Sequence, residues 1–195
     1  MPNGTKINKN KGGGMKLRIY TDLHLFSPMD STIPINKVDE SIFIGDVVDF
    51  ANCKKSDHDR AMRIYYHLRE NALLWIDGNH SRMSINNDII KIGEVMLVHG
   101  DTEAWGEKRA IKYRSKPHCA GWFKRNLWVR ALKNFEKIGK NKPSKKMIKN
   151  LVAHAKFRNC NTIICGHTHP RDTYDRINNG VRVIVLKRGL TEIEV

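Results

Sequence analysis

SIFIGDVVDF, residues 41–50, decides how this chain is read: three β-formers, Ile42, Phe43 and Ile44, stop at once on Gly45-Asp46, and a second carboxylate, Asp49, follows three residues later. A short apolar run bounded by turn residues reads as a buried strand. An acid just past the end of such a strand stands where open α/β sheets gather their ligand-binding loops.

The same arrangement recurs along the chain. Residues 17–20 run into Asp22 and His24, 73–76 into Asn79 and His80, 95–98 into His99 and Asp101, and 162–165 into His167 and His169. Asp, Asn and Gly also end strands for backbone reasons, but five strand ends carrying only metal-competent side chains point to one convergent site. Between the second and third strands, residues 56–71 predict an amphipathic helix with Ser56 as cap and Ala61, Ile64, Tyr65 and Leu68 on one face. Trp128, Ala131, Leu132, Phe135 and Ile138 keep helical spacing, and a further helix starts at Ser144 with Met147, Ile148, Leu151, Val152 and Ala155. Residues 174–177 and 181–186 flank Asn178-Asn179-Gly180, a hairpin signal, and 190–195 add a last strand. Strands alternating with helices and ending in hairpins predict an α/β sandwich, with residues 1–14 a disordered basic leader, 15–195 one domain, and about 102–161 a helical insert.

The donors are carboxylate, amide and imidazole, with no thiolate, which suits hard or borderline divalent ions. One ion takes four to six donors; seven or more, with carboxylates able to bridge, predict two ions, and a pair about 3.5–4 Å apart is a device for phosphoryl displacement.

In order, Asp22-Leu23-His24, Gly45-Asp46-Val47-Val48-Asp49, Gly78-Asn79-His80, His99-Gly100 and Gly166-His167-Thr168-His169 resemble the D-x-H, G-D-x-x-D, G-N-H, H and G-H-x-H blocks of the calcineurin-like metallophosphoesterases. The resemblance implies a four-layer α/β/β/α fold, with Asp22, His24 and His169 on one metal, Asn79, His99 and His167 on the other, and Asp46 bridging them. It implies that a metal-bridging hydroxide attacks phosphorus while His80 protonates the leaving oxygen, with Asp49 and Asp101 bracing the site from behind. The metals it implies are two divalent ions, manganese first, with iron, zinc, magnesium or nickel as alternatives. Ser81 stands where the family usually has Asp or Glu, so the partner of His80 must come from elsewhere. Placement of the insert looks like the UDP-2,3-diacylglucosamine pyrophosphatase branch, which carries Arg at the position of His80.

Charge narrows the partners. Lys and Arg number 35 against 20 Asp and Glu, a net of +15, and residues 101–160 hold 17 Lys/Arg and 4 Asp/Glu. A protein so basic attracts phosphate-bearing partners: a phosphorylated small molecule, a nucleotide or a lipid-linked substrate, with nucleic acid or a membrane surface reached through the insert. Arg82, Arg109, Arg114, Trp105 and Trp122 are the expected substrate contacts, suited to a phosphate carrying a flat or greasy group. No stretch approaches the roughly 20 apolar residues of a membrane span, and residues 1–14 lack the apolar core of a secretory signal, so the expected setting is cytoplasmic. Four scattered cysteines suggest neither disulfides nor structural zinc. The expected activity is hydrolysis of a phosphomonoester, phosphodiester or pyrophosphate; the alternatives are a nuclease or nucleic-acid phosphatase, and a phosphate-binding module of weak activity.

Overall fold

The computed structural model describes residues 15–27, 34–81, 83, 89–115 and 142–195. The elements are β1 (Lys16–Thr21), β2 (Ile42–Ile44), α1 (His58–Asn71), β3 (Leu74–Ile76), β4 (Ile89–Ile92), β5 (Val95–Val98), α2 (Asp101–Trp105), α3 (Glu107–Arg114), α4 (Lys145–Phe157), β6 (Thr162–Cys165), β7 (Tyr174–Asn178), β8 (Val181–Val185) and β9 (Gly189–Glu194). They form two sheets, ordered β3-β2-β1-β9 and β4-β5-β6-β8-β7. In the first, β1, β2 and β3 are parallel and β9 closes the edge antiparallel; in the second, β5, β6 and β8 are parallel between antiparallel edges.

Alternation along each strand sorts the side chains into three apolar layers. Leu17, Ile19, Ile42, Ile44 and Ile76 face Val95, Leu97, Ile164 and Ile184, the two sheets packing directly on each other. Tyr20 and Phe43 point the other way and meet Ala61, Tyr65 and Leu68 of α1. On the far side Met96, Val98, Ile163, Cys165, Val183 and Val185 meet Met147, Leu151, Val152 and Ala155 of α4. The result is the expected α/β/β/α stack of four layers. Each fully buried Ile or Leu in the middle layer contributes about 1.5–3 kcal/mol of burial free energy.

Two expectations change, and one strand is added. α4, read from the sequence as part of a helical insert, is an outer layer of the frame, because its apolar stripe is the cover that β5, β6 and β8 require. Residues 55–57 form a short 3-10 turn ahead of α1, whose N-cap residue is Asp57, and Ser56 makes no cap. β4, not among the strands expected from the sequence, pairs antiparallel with β5 across Gly93-Glu94. Ser144, by contrast, caps α4 as expected, its hydroxyl accepting from the Met147 N–H at 3.1 Å. The leader and the helical spacing from Trp128 to Ile138 lie outside the described residues.

Candidate metal centre

The C-terminal ends of β1, β2, β3, β5 and β6 lie along one edge of the stack, and the chain turns sharply as it leaves them. Asp22, His24, Asp46, His167 and His169 all sit in the left-handed region, with φ of 53°, 52°, 50°, 73° and 45°. Non-glycine residues held there cost free energy and cluster at functional sites. The turns aim successive side chains into one small volume.

Two groups result. Asp22, His24 and His169 form one, and Asp46, His99 and His167 the other, while a third cluster, His24, Asp49 and His80, shares His24 with the first; within each, one ligand atom per residue lies within 4.8 Å of the rest. In the first, His169 Nε2 is 3.0 Å from Asp22 Oδ1 and 3.2 Å from His24 Nε2. In the second, His99 Nε2 is 3.2 Å from Asp46 Oδ2 and 3.0 Å from Asn79 Oδ1. Asp46, Asn79 and His99 therefore stand together.

The supports are as specific as the ligands. Asp49 spans two histidines: its Oδ2 is 3.2 Å from His24 Nδ1 and its Oδ1 is 2.9 Å from His80 Nδ1. It is thus the partner that Ser81 does not supply, and it fixes both rings with Nε2 as the remaining nitrogen, the usual way a carboxylate sets imidazole orientation. Asn52 donates to both Asp49 oxygens, at 3.1 and 2.9 Å. The His80 N–H donates to Asp46 Oδ1 at 2.6 Å, and the His167 N–H to Asp22 Oδ2 at 2.9 Å. Arg188 donates to the carbonyls of Asp22 and Leu23, at 2.8 and 2.9 Å, tying the first ligand loop to the strand that ends the chain. Three motif glycines are required by proximity: a Cβ on Gly45 would collide with the His99 ring, one on Gly78 with the Asp46 carboxylate, and one on Gly166 with Asp22 and Thr21.

Electrostatics follows from burial and pairing. Burial pushes the carboxyls of Asp22, Asp46 and Asp49 upward, but the imidazoles beside them, His169, His99 and His80 respectively, outweigh it and hold all three well below the usual range. Burial lowers His99 too, yet Asp46 overrides it and the imidazole is raised to about 9. His80 is likewise raised, by Asp49 and Asp46 against burial. His167 goes the other way, pushed down to about 3 by burial and by the charge of His99. Burial also lowers His24. The donors are thus oxygen and imidazole groups with ionised carboxylates, and the buried Asn79 Nδ2 has no hydrogen-bond partner. This set is one that divalent cations would fit.

Expected substrate residues divide. Trp105, at the end of α2, packs edge-on against His167 with centroids 4.5 Å apart, and the Arg109 guanidinium lies 5.6 Å from the Trp105 ring centre. Arg114 is a correction: its guanidinium is buried and forms a bidentate pair with Asp101, at 2.9 and 2.6 Å, because a short helix over a charged edge needs an anchor. Asp101 consequently braces α3. Arg82 and Trp122 lie outside the described residues. Tyr113, 5.3 Å from Trp105 and 5.8 Å from His80 between ring centres, joins the site through the turn between α2 and α3. Asn52 and Arg188 carried no motif signal; only the offset of Asn52, three residues after Asp49, could have suggested it. His154 pairs with buried Glu103 at 2.7 Å, joining α4 to α2.

No protein-family model matches the chain, and no curated protein matches it. Solved structures similar to it include a dimetal phosphatase from Danio rerio, at 11% identity and a TM-score of 0.44 over 91% of this chain and 91% of that one. The cold-active protein-tyrosine phosphatase of a psychrophilic Shewanella species is similar at 18% identity and 0.43, over 88% and 70%. Vps29 from Entamoeba histolytica is similar at 16% and 0.42, over 89% and 74%.

Proposed function

We propose that this chain is a dinuclear metal-dependent phosphoesterase of the calcineurin-like kind. The observation that carries the reading is the pair of adjoining ligand groups, Asp22–His24–His169 and Asp46–His99–His167, built from strand ends of both sheets. Two divalent ions held there would supply Lewis acidity, lowering the pKa of a nearby water and offsetting the charge of a phosphoryl group.

The chain's own residues do the rest. His80, partly exposed beside the ligand groups and held at Nδ1 by Asp49, has its imidazole pKa raised by Asp49 and Asp46 against burial, and can give a proton from Nε2 to the departing oxygen of the ester, the task of a general acid. Asp49 keeps the ring in that orientation. Trp105 and Tyr113 form an aromatic wall over the two ligand groups that suits an aryl, base or acyl leaving group, and Arg109 adds positive charge at its rim. With α4 part of the frame, less of the chain is left for the lipid-binding cap of the diacylglucosamine branch, and the reading stays with phosphoesters at large.

The test is hydrolysis of p-nitrophenyl phosphate and bis-p-nitrophenyl phosphate by metal-stripped protein with manganese, magnesium, nickel or zinc restored. Turnover of at least one ester should require metal and fall by on the order of 10²-fold or more in Asp46→Asn. Protein that binds two ions and cleaves neither ester sinks the proposal.

A further inference from the structure

The described surface carries two adjoining cavities on the side of α4 and the β7–β8 hairpin, of about 650 and 600 Å³, which share Pro143 and Tyr174. Together they make one trough. Its first half is floored by α4, where Lys145, Lys149 and Lys156 recur at i, i+4 and i+11 and so fall on one stripe of the helix, spanning about 16 Å. Its second half runs past Arg176 and Arg171 to Pro170, the residue that follows the candidate ligand His169. All three lysines are exposed, and among the described residues none is ion-paired. The acids on the trough are Asp172 and Asp175, and Asp175 is already paired with Arg182 at 2.8 Å.

We infer that this trough is a track for single-stranded nucleic acid, leading a phosphodiester backbone to the metal centre. The inference rests on the phosphoesterase reading and names its substrate class. A stripe of lysines is a set of flexible point charges, the chemistry of backbone neutralisation and not of base reading. Tyr174, half-buried where the two cavities meet, offers a ring for one base to stack on, the other recurrent part of sequence-tolerant strand binding. Hydrolysis there would consume one water per cleaved P–O bond and leave one strand end as phosphate and the other as hydroxyl.

Fluorescence anisotropy of a labelled 20-nucleotide oligothymidine with the metal-free full chain separates this from the chemistry. Replacing the three lysines by glutamine (Lys145→Gln, Lys149→Gln, Lys156→Gln) should weaken binding at least tenfold at low salt and reduce the slope of log K against log salt by about 2, from roughly 0.7 per lost contact. Arginine at the same three positions should restore binding, and metal-dependent cleavage of the small aryl ester should be unchanged in both variants. Unchanged strand affinity in the glutamine variant overturns the inference, as does loss of affinity in the arginine variant. So does a preference of the wild-type chain for anionic phosphatidylserine vesicles over the strand at equal charge concentration. Strand binding that follows the lysines in a protein inert toward every ester would keep the track and overturn the esterase.

Discussion

The two sheets bring unlike chemistry to one edge. β3-β2-β1-β9 supplies both candidate ligand carboxylates, Asp22 and Asp46, with His24 and Asn79; β4-β5-β6-β8-β7 supplies only imidazoles, His99, His167 and His169. Each ligand group draws on both, so neither sheet alone holds a site. What registers them is the apolar layer between, Leu17, Ile19, Ile42 and Ile44 against Leu97, Ile164 and Ile184. The outer layers cover the other face of each sheet: the one under α1 also packs Leu23, Val47 and Val48 of the loops that carry Asp22 and Asp46, whereas the one under α4 holds no residue of those two loops. A site divided between sheets depends on the middle layer for the meeting of its two halves.

That contrast can be broken most forcefully in the middle layer. Ile164→Ala there and Leu151→Ala under α4 should each cost about 2–5 kcal/mol in denaturant unfolding. Only Ile164→Ala should also weaken metal binding by titration calorimetry, and equal loss in both variants would end the claim of selective dependence.

Within the first sheet, Asp49→Asn removes the carboxylate that orients His24 and His80 while sparing every ligand. Metal affinity and turnover should fall about 10–100-fold, and the alkaline limb of the pH–rate profile, set by His80, should shift to lower pH. Activity equal to wild type would show that the two rings are held some other way.

Across the sheets, His99 of the second is charged because Asp46 of the first faces it. A metal needs the neutral ring, so loading below about pH 9 must release the His99 proton. Apparent affinity at that group should rise about tenfold per pH unit from near neutrality up to about 9 and then level. Stability runs the opposite way in the metal-free protein: a raised imidazole contributes fully below its unfolded value near 6.5, and its contribution disappears as pH rises through about 9. Calorimetry in buffers of different ionisation enthalpy counts the proton, and none released at pH 7.5 would contradict the coupling.

The smallest effect belongs to the second sheet's cover. Ser144→Ala removes the cap of α4 and should cost about 1 kcal/mol in unfolding with no change in metal affinity; any loss of metal binding would tie α4 to the site more closely than its contacts indicate.

Much of this was legible before folding. Strands ending on Asp46, Asn79, His99 and His167 announce both the sheet edges and the candidate ligands, because a strand's apolar run and the turn beyond it are local features, read within ten residues. The same holds for Ser144 and for the Asn178-Asn179-Gly180 turn. Other features were invisible because their partners are remote. Arg188 reaches the Asp22 carbonyl across 166 positions, and Arg114, which reads as a substrate contact, is instead buried against Asp101. α4 carries the same amphipathic pattern whether it caps a site or covers a sheet, and only the bare outer face of β5, β6 and β8 decides between them. The lysine stripe is plain charge in the sequence, and lines a trough only because the β7–β8 hairpin stands beside it. Local backbone and side-chain preferences determined which residues form strands, turns and ligands. Which of them meet was decided by the packing of two sheets through one hydrophobic layer, a nonlocal condition that no single stretch of the chain contains.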